Sequence, residues 1–182
     1  MTTLALDLSK RSTGWAVWSE GWDAPRYAAV QLGSEFTTDG RTCLKLHRVL
    51  ADLHQVMPFT SIYYEKPLTQ VERGGASNPA NDVQLKLVGH AESFAEAYNI
   101  RICMGVNMKS WRRHFLGSMP RGTKTKALKD YAIERCHHYG WKPKTHDEAD
   151  ALGLLDYALD LQGIKAPWVA DEVLRPILGG SK

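Results

Sequence analysis

The sequence predicts an α/β domain built on a five-stranded mixed sheet, with three antiparallel strands first, parallel strands added later, and helices on its flanks. Apolar runs of strand length fill the first 32 residues with only short polar turns between them, so consecutive strands pair as hairpins. After residue 40, segments with apolar residues at helical spacing alternate with single short strands, which is typical of α/β folds. With 182 residues and 43% apolar content, the chain suits one compact core.

The strands follow from short apolar runs bounded by turn residues. Residues 4–8 and 15–18 flank the polar segment 9–14, so they are expected to form a hairpin. The predicted strands span residues 4–8, 15–18, 27–32, 60–64 and 100–104. In such a mixed sheet the first strand is expected at the centre.

The helices follow from apolar residues at helical spacing. In the first helix Leu44, Leu50 and Leu53 fall at that spacing, and Pro58 ends it. The last helix is apolar on most sides, which predicts that it is largely buried. The predicted helices span residues 40–57, 83–98, 108–115, 124–137 and 145–160.

The chain is predicted to form one domain over residues 1–163, followed by a tail over residues 164–182. Pro167 and Pro176 mark the tail as loosely structured. Inside the domain, Gly, Asn and Pro between residues 70 and 81 predict an irregular segment after the fourth strand.

Composition narrows the class of protein. The formal net charge of +3 permits nucleic-acid binding without requiring it. Cys43, Cys103 and Cys136 are odd in number and widely spaced, so free thiols in a reducing compartment are expected, with no zinc or disulfide framework. No apolar run approaches membrane-spanning length and no signal-type segment opens the sequence, so a cytoplasmic protein without membrane association is expected.

Four acidic residues are the strongest functional signal. Asp7 and Glu65 each end an apolar strand, where a charge is unfavourable unless it is paired or binds a metal. Asp147 and Asp150 are three residues apart at the start of the buried helix and share one face. Each acid also has an ordinary explanation: a turn residue, a salt-bridged strand end, or helix N-terminal acids favoured by the macrodipole.

Taken together, the four acids predict one metal site. Strand C-terminal ends in open α/β sheets are where ligands bind. A ligand set of carboxylates alone suits hard cations such as Mg²⁺ or Mn²⁺. Two such ions support phosphodiester hydrolysis, so the sequence predicts phosphoryl-transfer chemistry.

A concentrated basic stretch runs from Lys109 to Lys129 and contains no acidic residue. Such a stretch is either a solvated helix face or a phosphate-binding surface that does not read sequence. Trp111 lies inside it and is a candidate base-stacking platform, whereas the other tryptophans are expected in the core. The candidate DNA-binding residues are Lys10, Lys66, Leu68, Arg73, Lys109, Arg112, Arg113, Arg121, Lys124 and Lys126.

The motifs resemble the RuvC branch of the ribonuclease H-like superfamily, the Holliday junction resolvases. The motifs that carry the resemblance are LALDLS at 4–9 with TGWA at 13–16, IYYEKP at 62–67, and DEADAL at 147–152. Residues 106–109 and 122–126 resemble the two basic segments beside that family's active site. The likeness covers roughly residues 3 to 162, with the motifs in order.

The resemblance implies an endonuclease that cuts four-way DNA junctions by paired hydrolysis and leaves 5′-phosphate and 3′-hydroxyl ends. It implies that Asp7, Glu65, Asp147 and Asp150 hold two Mg²⁺ or Mn²⁺ ions. Lys109 and Lys126 are then expected near the scissile phosphate. It also implies a homodimer formed through the helix over residues 83–98.

The sequence departs from this family in two places. Leu68 stands nearest to the position where an aromatic residue that wedges into the junction is expected, and the segment after Glu65 is longer and richer in Gly, Asn and Pro. The tail over residues 164–182 has no counterpart. The chain therefore resembles divergent phage-encoded members, acting in a bacterial cell or a phage-infected host, and cutting of other branched DNA is an open alternative.

Other functions fit parts of the sequence. A nuclease of the same fold could act on RNA or on replication and packaging intermediates. A junction-binding protein without catalysis could keep the fold, although four retained acids argue against it. Actin-like ATPases and sugar kinases share an Asp-containing first hairpin, but they need two such domains, and 182 residues are too few.

Overall fold

The computed structural model describes residues 1–68 and 79–170 of the chain. The strands are β1 (Thr2–Asp7), β2 (Thr13–Ser19), β3 (Arg26–Val30), β4 (Ser61–Glu65) and β5 (Ile102–Val106). The helices are α1 (Asp39–Val56), α2 (Pro79–Ala97), α3 (Met108–Leu116), α4 (Thr125–His138), α5 (His146–Leu161) and α6 (Pro167–Ala170). Every predicted strand and helix is present; α2 begins earlier than predicted, at a proline, which is favoured in the first turn of a helix.

The predicted mixed sheet is confirmed, with the strand order β3-β2-β1-β4-β5 and β1 at its centre. β1 pairs antiparallel with β2, and β2 pairs antiparallel with β3. β4 joins β1 in parallel, and β5 joins β4 in parallel. The C-terminal ends of β1, β3, β4 and β5 therefore point to one edge of the sheet, called the C-terminal edge below.

The sheet separates two apolar clusters, because successive strand residues point to opposite faces. On one face Ala5, Ala16 and Tyr63 lie in a cluster with residues of α3, α4 and α5. On the other face Leu6 and Ile62 lie in a cluster with residues of α1 and α2. The predicted burial of the last helix is confirmed, since most residues of α5 are buried.

Packing continues past residue 163, where the sequence placed the end of the domain. Trp168 of α6 is buried and lies edge-on against Trp18 and Trp141. Its indole N–H donates to the carboxylate of Asp156 at 2.8 Å. The rest of the predicted tail, residues 171–182, lies outside the described residues, as does most of the predicted irregular segment.

All three cysteines are free thiols, as predicted. Within the described ranges, no helix has both the length and the apolar character that crossing a bilayer requires.

Candidate functional site

Asp7, Glu65, Asp147 and Asp150 all line one pocket of about 420 Å³ at the C-terminal edge of the sheet. They come from three separate segments, so the fold brings together residues that are up to 143 positions apart in the sequence (150 − 7). Other residues that line this acid pocket are Ser9, Lys66, Leu68, Met108, Arg112 and Lys129.

Two of the acids are neighbours because their strands are neighbours. β1 ends at Asp7 and β4 ends at Glu65, and the parallel register pairs the preceding residues, Leu6 and Tyr64. Parallel strands end at the same edge, so both carboxylates reach that edge from adjacent strands.

Gly14 lets the other two acids approach. It lies opposite Asp7 in the β1–β2 pair, and a Cβ atom built on it would lie 1.9 Å from the main-chain oxygen of Asp147. Any side chain at this position would push the first turn of α5 away from β2. The glycine of the TGWA motif is therefore required for close packing of α5 over the hairpin.

The first turn of α5 is also anchored by its own cap. The Thr145 side chain accepts a hydrogen bond from the Glu148 N–H at 3.2 Å, and the Glu148 carboxylate accepts one from the Lys144 N–H at 2.6 Å. This reciprocal arrangement resembles a capping box, which satisfies N–H groups at a helix start. Asp147 and Asp150 thus project from a fixed helical turn.

The pocket concentrates negative charge in a buried place. Burial raises the pKa of Asp7 well above its ordinary value, and the charges of Asp150, Glu65 and Asp147 raise it further. Burial also raises the pKa of Glu65 and of Asp150. The cationic groups that oppose these pKa increases are Arg112 and Lys129.

Trp111 holds Glu65 in place. Its indole Nε1–H donates to Glu65 Oε2 at 2.9 Å, and the ring is only 1% exposed. A buried ring cannot stack on a nucleic-acid base, so the interpretation of Trp111 as a stacking platform was wrong. It is instead a positioning residue that sequence reasoning missed, because no local pattern shows which carboxylate a tryptophan will contact.

Gly153 makes room for that tryptophan. A Cβ atom on Gly153 would lie 2.8 Å from the Trp111 ring and 2.7 Å from the Phe115 ring. The bare backbone of α5 therefore accommodates the rings of α3. The sequence did carry a signal for this close packing, since a glycine inside an apolar helix often marks a position where another group packs against the backbone.

Arg112, predicted to contact DNA, is paired with an acid of the pocket. Its Nη2 lies 3.3 Å from Asp150 Oδ2, and both side chains are largely buried. The guanidinium also lies over the Trp111 ring, 5.1 Å from its centroid. Adjacent residues of α3 thus hold Glu65 and Asp150.

Four other predicted basic residues line one of two pockets. Lys66 lines the acid pocket together with Leu68, which is 43% exposed. Lys109, Arg113 and Arg121 line a second pocket between α3 and the loop that follows it. This second pocket also includes Arg112, so the two pockets are contiguous.

Three predicted basic residues have different surroundings. Lys124 and Lys126 are exposed and line neither pocket, whereas Lys129, one turn further along α4, lines the acid pocket. Lys10 donates to the main-chain oxygen of Thr37 and lies 3.8 Å from the Asp39 carboxylate. Arg73 lies outside the described residues.

His146 does not line the acid pocket. Its Nε2 lies 3.3 Å from Asp130 Oδ1, on the exposed side of the α4–α5 pair.

The donor chemistry of the acid pocket fits hard divalent cations, since carboxylates surround it and their charge is not balanced by the nearby cations. Among residues 1–68 and 79–170, however, no three His, Cys, Asp or Glu side chains already converge as a ligand group. Trp111 and Arg112 direct two of the carboxylates. A cation between the four acids therefore requires some of these side chains to rotate.

No protein-family model matches the chain, and no curated protein matches it significantly. Solved structures do match. RuvC from Thermus thermophilus gives a TM-score of 0.64 at 18% identity, covering 90% of this chain and 97% of that chain. RuvC from the same organism in complex with a Holliday junction substrate gives 0.64 at 14% identity, covering 90% and 96%.

A third match is Ydc2, the yeast mitochondrial Holliday junction resolvase, with a TM-score of 0.59 at 13% identity, covering 88% of this chain and 78% of that chain. At such identities the likeness establishes the fold. The chain has a RuvC-type, ribonuclease H-like fold.

Proposed function

We propose that this chain with a RuvC-type fold is a metal-dependent endonuclease that resolves four-way DNA junctions. The observation that carries the proposal is the assembly of Asp7, Glu65, Asp147 and Asp150 around one pocket at the C-terminal edge. Four buried or half-buried carboxylates repel one another unless protons or cations offset their charge, and bound metal ions offset it while the carboxylates stay ionised. The structural neighbours, which are Holliday junction resolvases, support the same conclusion.

The four acids would hold two divalent ions, Mg²⁺ or Mn²⁺. Such ions, when bound, activate water and stabilise charge on the phosphate that is cleaved. The chain's own residues orient this chemistry: Trp111 holds Glu65, and Arg112 holds Asp150. Side chains that orient metal ligands contribute strongly to affinity and rate.

Cations at the pocket rim would bind the DNA backbone. Lys66 and Lys129 line the acid pocket itself, and Lys109, Arg113 and Arg121 line the contiguous second pocket. Together they form a positive surface beside a negative centre. Such a surface places a phosphate next to the acids without reading the base sequence.

A homodimer is part of the proposal, because resolution of a junction needs two symmetric nicks and a two-fold dimer supplies them. The surface of α2 supports this assignment through Leu85, which is 51% exposed, and through Tyr98 just beyond its end, which is 41% exposed. We place the activity in the cytoplasm of a bacterial cell or a phage-infected host, where thiols stay reduced.

A broader specificity for branched DNA is the second candidate. Leu68 lines the acid pocket as a partly exposed aliphatic side chain, so it cannot stack between bases as an aromatic wedge would. Selectivity for four-way junctions over forks and flaps is therefore expected to be lower than in an enzyme with an aromatic residue at that position.

The test is a cleavage assay with matched four-way junction, fork, flap, linear duplex and RNA–DNA hybrid substrates, each with Mg²⁺ and with chelator. We expect paired nicks in the junction with Mg²⁺ and none with chelator. Asp7→Asn should bind the junction without cutting it. Full activity of Asp7→Asn would exclude the metal assignment, and binding without any Mg²⁺-dependent nicking would favour an architectural protein.

A further inference from the structure

A second, basic groove lies apart from the acid pocket, along α1 and the loop that precedes it. We call it the α1 groove; its volume is about 700 Å³. Arg41, Lys45 and Arg48 line it at a spacing that puts them on one helix face, and all three are exposed. Asp52 lies one turn beyond Arg48 at the far end of the groove.

The three cations of the α1 groove are unpaired within the described part of the chain. Two nearby acids are engaged elsewhere, since Glu35 pairs with Arg11 and Asp39 pairs with Lys86, and Asp52 at the far end of the groove offsets one cation at most. Three adjacent cations without partners repel one another. Their arrangement favours a polyanionic ligand.

The α1 groove begins at the same edge as the acid pocket. β1 and β3 are both antiparallel to β2, so the loop after β3 emerges beside the loop after Asp7. The two loops are joined, since the Gly33 N–H donates to the main-chain oxygen of Lys10 at 2.8 Å. Lys10 in turn donates to the main-chain oxygen of Thr37. A ligand that leaves the acid pocket across these loops meets the α1 groove next.

Phe36 stands at the tip of the joining loop and is 89% exposed. The loop that carries Phe36 is held by two hydrogen bonds. The Thr37 N–H donates to the Ser34 oxygen at 3.1 Å, and the Ser34 N–H donates to the Thr37 hydroxyl at 2.9 Å. This tied turn presents the aromatic ring to solvent. Exposed aromatic rings beside a row of cations are typical of surfaces that bind unpaired nucleic-acid bases and their backbone.

We propose that the α1 groove binds one arm of the branched DNA, an inference that rests on the proposed function. The helix advances about 10 Å from Arg41 to Arg48, which matches roughly three steps of axial rise at 3.4 Å per step, so neighbouring phosphates of one strand lie within reach of these cations. The three cations contact these phosphates, and Phe36 stacks on a base left unpaired at the branch point. The arm passes from the acid pocket over the tied loop onto α1.

The cations are tested with Lys45→Ala/Arg48→Ala. The control is Arg101→Ala/Lys165→Ala, which removes two exposed cations at the opposite edge, before β5 and after α5. Junction affinity is measured in chelator across a series of salt concentrations. Each lost phosphate contact lowers the slope of log affinity against log salt by about 0.9. We expect the groove variant to lose roughly two units of slope and the control to keep the wild-type slope.

The stacking contact is tested with Phe36→Ala and Phe36→Trp. The control is Val56→Ala, another exposed apolar residue, 71% exposed, at the far end of α1. Loss of one stacked base corresponds to at least about a fivefold loss of affinity. We expect that loss for the junction with Phe36→Ala, near-wild-type affinity with Phe36→Trp, and no change with Val56→Ala.

The outcomes separate this inference from the proposed function. If the wild-type protein binds and nicks junctions, and both groove variants bind like wild type, the inference is overturned and the function stands. If the wild-type protein binds junctions but never nicks them, the proposed nuclease activity is rejected. The salt dependence of binding then still tests whether the α1 groove contacts the DNA. If it binds no branched DNA, both fail. Equal binding of an acidic peptide in competition with the junction would indicate a protein partner and overturn the inference.

Discussion

The indole N–H of Trp111 donates to the carboxylate of Glu65 over 2.9 Å, from a ring that is almost fully buried. Glu65 ends β4 and Trp111 lies on α3, so this hydrogen bond joins the sheet to a helix beside the acid pocket. One oxygen of Glu65 is thereby oriented before any cation binds.

Trp111→Phe should keep the packing and remove the hydrogen bond to Glu65. Since loss of a group that orients a metal ligand lowers affinity or activity about 10- to 100-fold, we expect cleavage to fall by that factor and the Mg²⁺ requirement to rise. Nicking rates across a Mg²⁺ titration measure this.

Trp141→Phe is the matched control, because it removes the same atoms from a buried ring that packs edge-on against Trp168 and does not line the acid pocket. It should lower stability without changing the Mg²⁺ requirement. Equal kinetic losses in both variants would mean that Trp111 matters only as core volume.

Gly153→Ala should damage the site through packing. Its Cβ would press on the rings of Trp111 and Phe115 at distances under 3 Å, and both rings are buried. Overpacking of this kind destabilises by about 1–3 kcal/mol, and displacement of Trp111 should also reduce cleavage. Thermal unfolding and nicking rates measure the two effects.

Gly40→Ala serves as its control, since Gly40 lies in α1 with no atom near the position of an added Cβ. Alanine favours helix more than glycine does, so this variant should be neutral or slightly stabilised. A Gly153→Ala protein with wild-type stability and activity would contradict this prediction, because it would mean that the rings of Trp111 and Phe115 can shift without cost.

Asp7→Asn should stabilise the metal-free protein. Burial and the charges of Asp150, Glu65 and Asp147 raise the pKa of Asp7 above its unfolded value. Any stability that protonated Asp7 contributes is therefore present at low pH and is lost as pH rises through the folded pKa. Above its unfolded pKa, Asp7 must either carry a buried charge or bind a proton when the chain folds, and asparagine removes this cost.

The measurement is the Tm in chelator at pH 7, where each 1 kcal/mol raises Tm by about 2–4 °C for a chain of this length. We expect a higher Tm for Asp7→Asn than for wild type. Added Mg²⁺ should raise the Tm of wild type more than that of the variant. A lower Tm for the variant in chelator would contradict the pKa direction for Asp7.

Lys129→Ala and Lys126→Ala should differ although the two lysines are three residues apart. Lys129 lines the acid pocket and lowers the pKa of Asp7, Glu65 and Asp150, whereas Lys126 is exposed and lines neither pocket. Since loss of a fixed charge beside a reacting phosphate lowers the turnover rate by about 100-fold, we expect a loss of that size for Lys129→Ala.

Lys126→Ala should instead leave turnover unchanged and alter only the salt dependence of binding, by at most about one phosphate contact. Single-turnover cleavage and binding titrations separate the two effects. A larger loss of turnover in Lys126→Ala than in Lys129→Ala would mean that Lys126 contacts the scissile phosphate, as the family resemblance implied.

The sequence alone was enough to predict the five strands, the helices α1 to α5, and four acids that the structure places around one pocket. Apolar patterning is a local property, and β1 and α5 stand out as nearly continuous apolar runs because they are buried along most of their length. Asp7 and Glu65 could be found because a charge at the end of an apolar strand can be recognised from the local sequence, without knowledge of the tertiary structure. The central place of β1 followed from the order of the elements.

Only the tertiary structure decided which side chains meet. Trp111 and Arg112 sit in a basic stretch that resembles a DNA contact, but the packing of α3 on α5 turns them toward Glu65 and Asp150. Lys10, another predicted DNA contact, donates to the main-chain oxygen of Thr37 and lies near the Asp39 carboxylate, so its side chain joins the loop after β1 to the start of α1. Contacts between distant segments depend on how whole faces pack, and no local pattern in a single sequence carries that information.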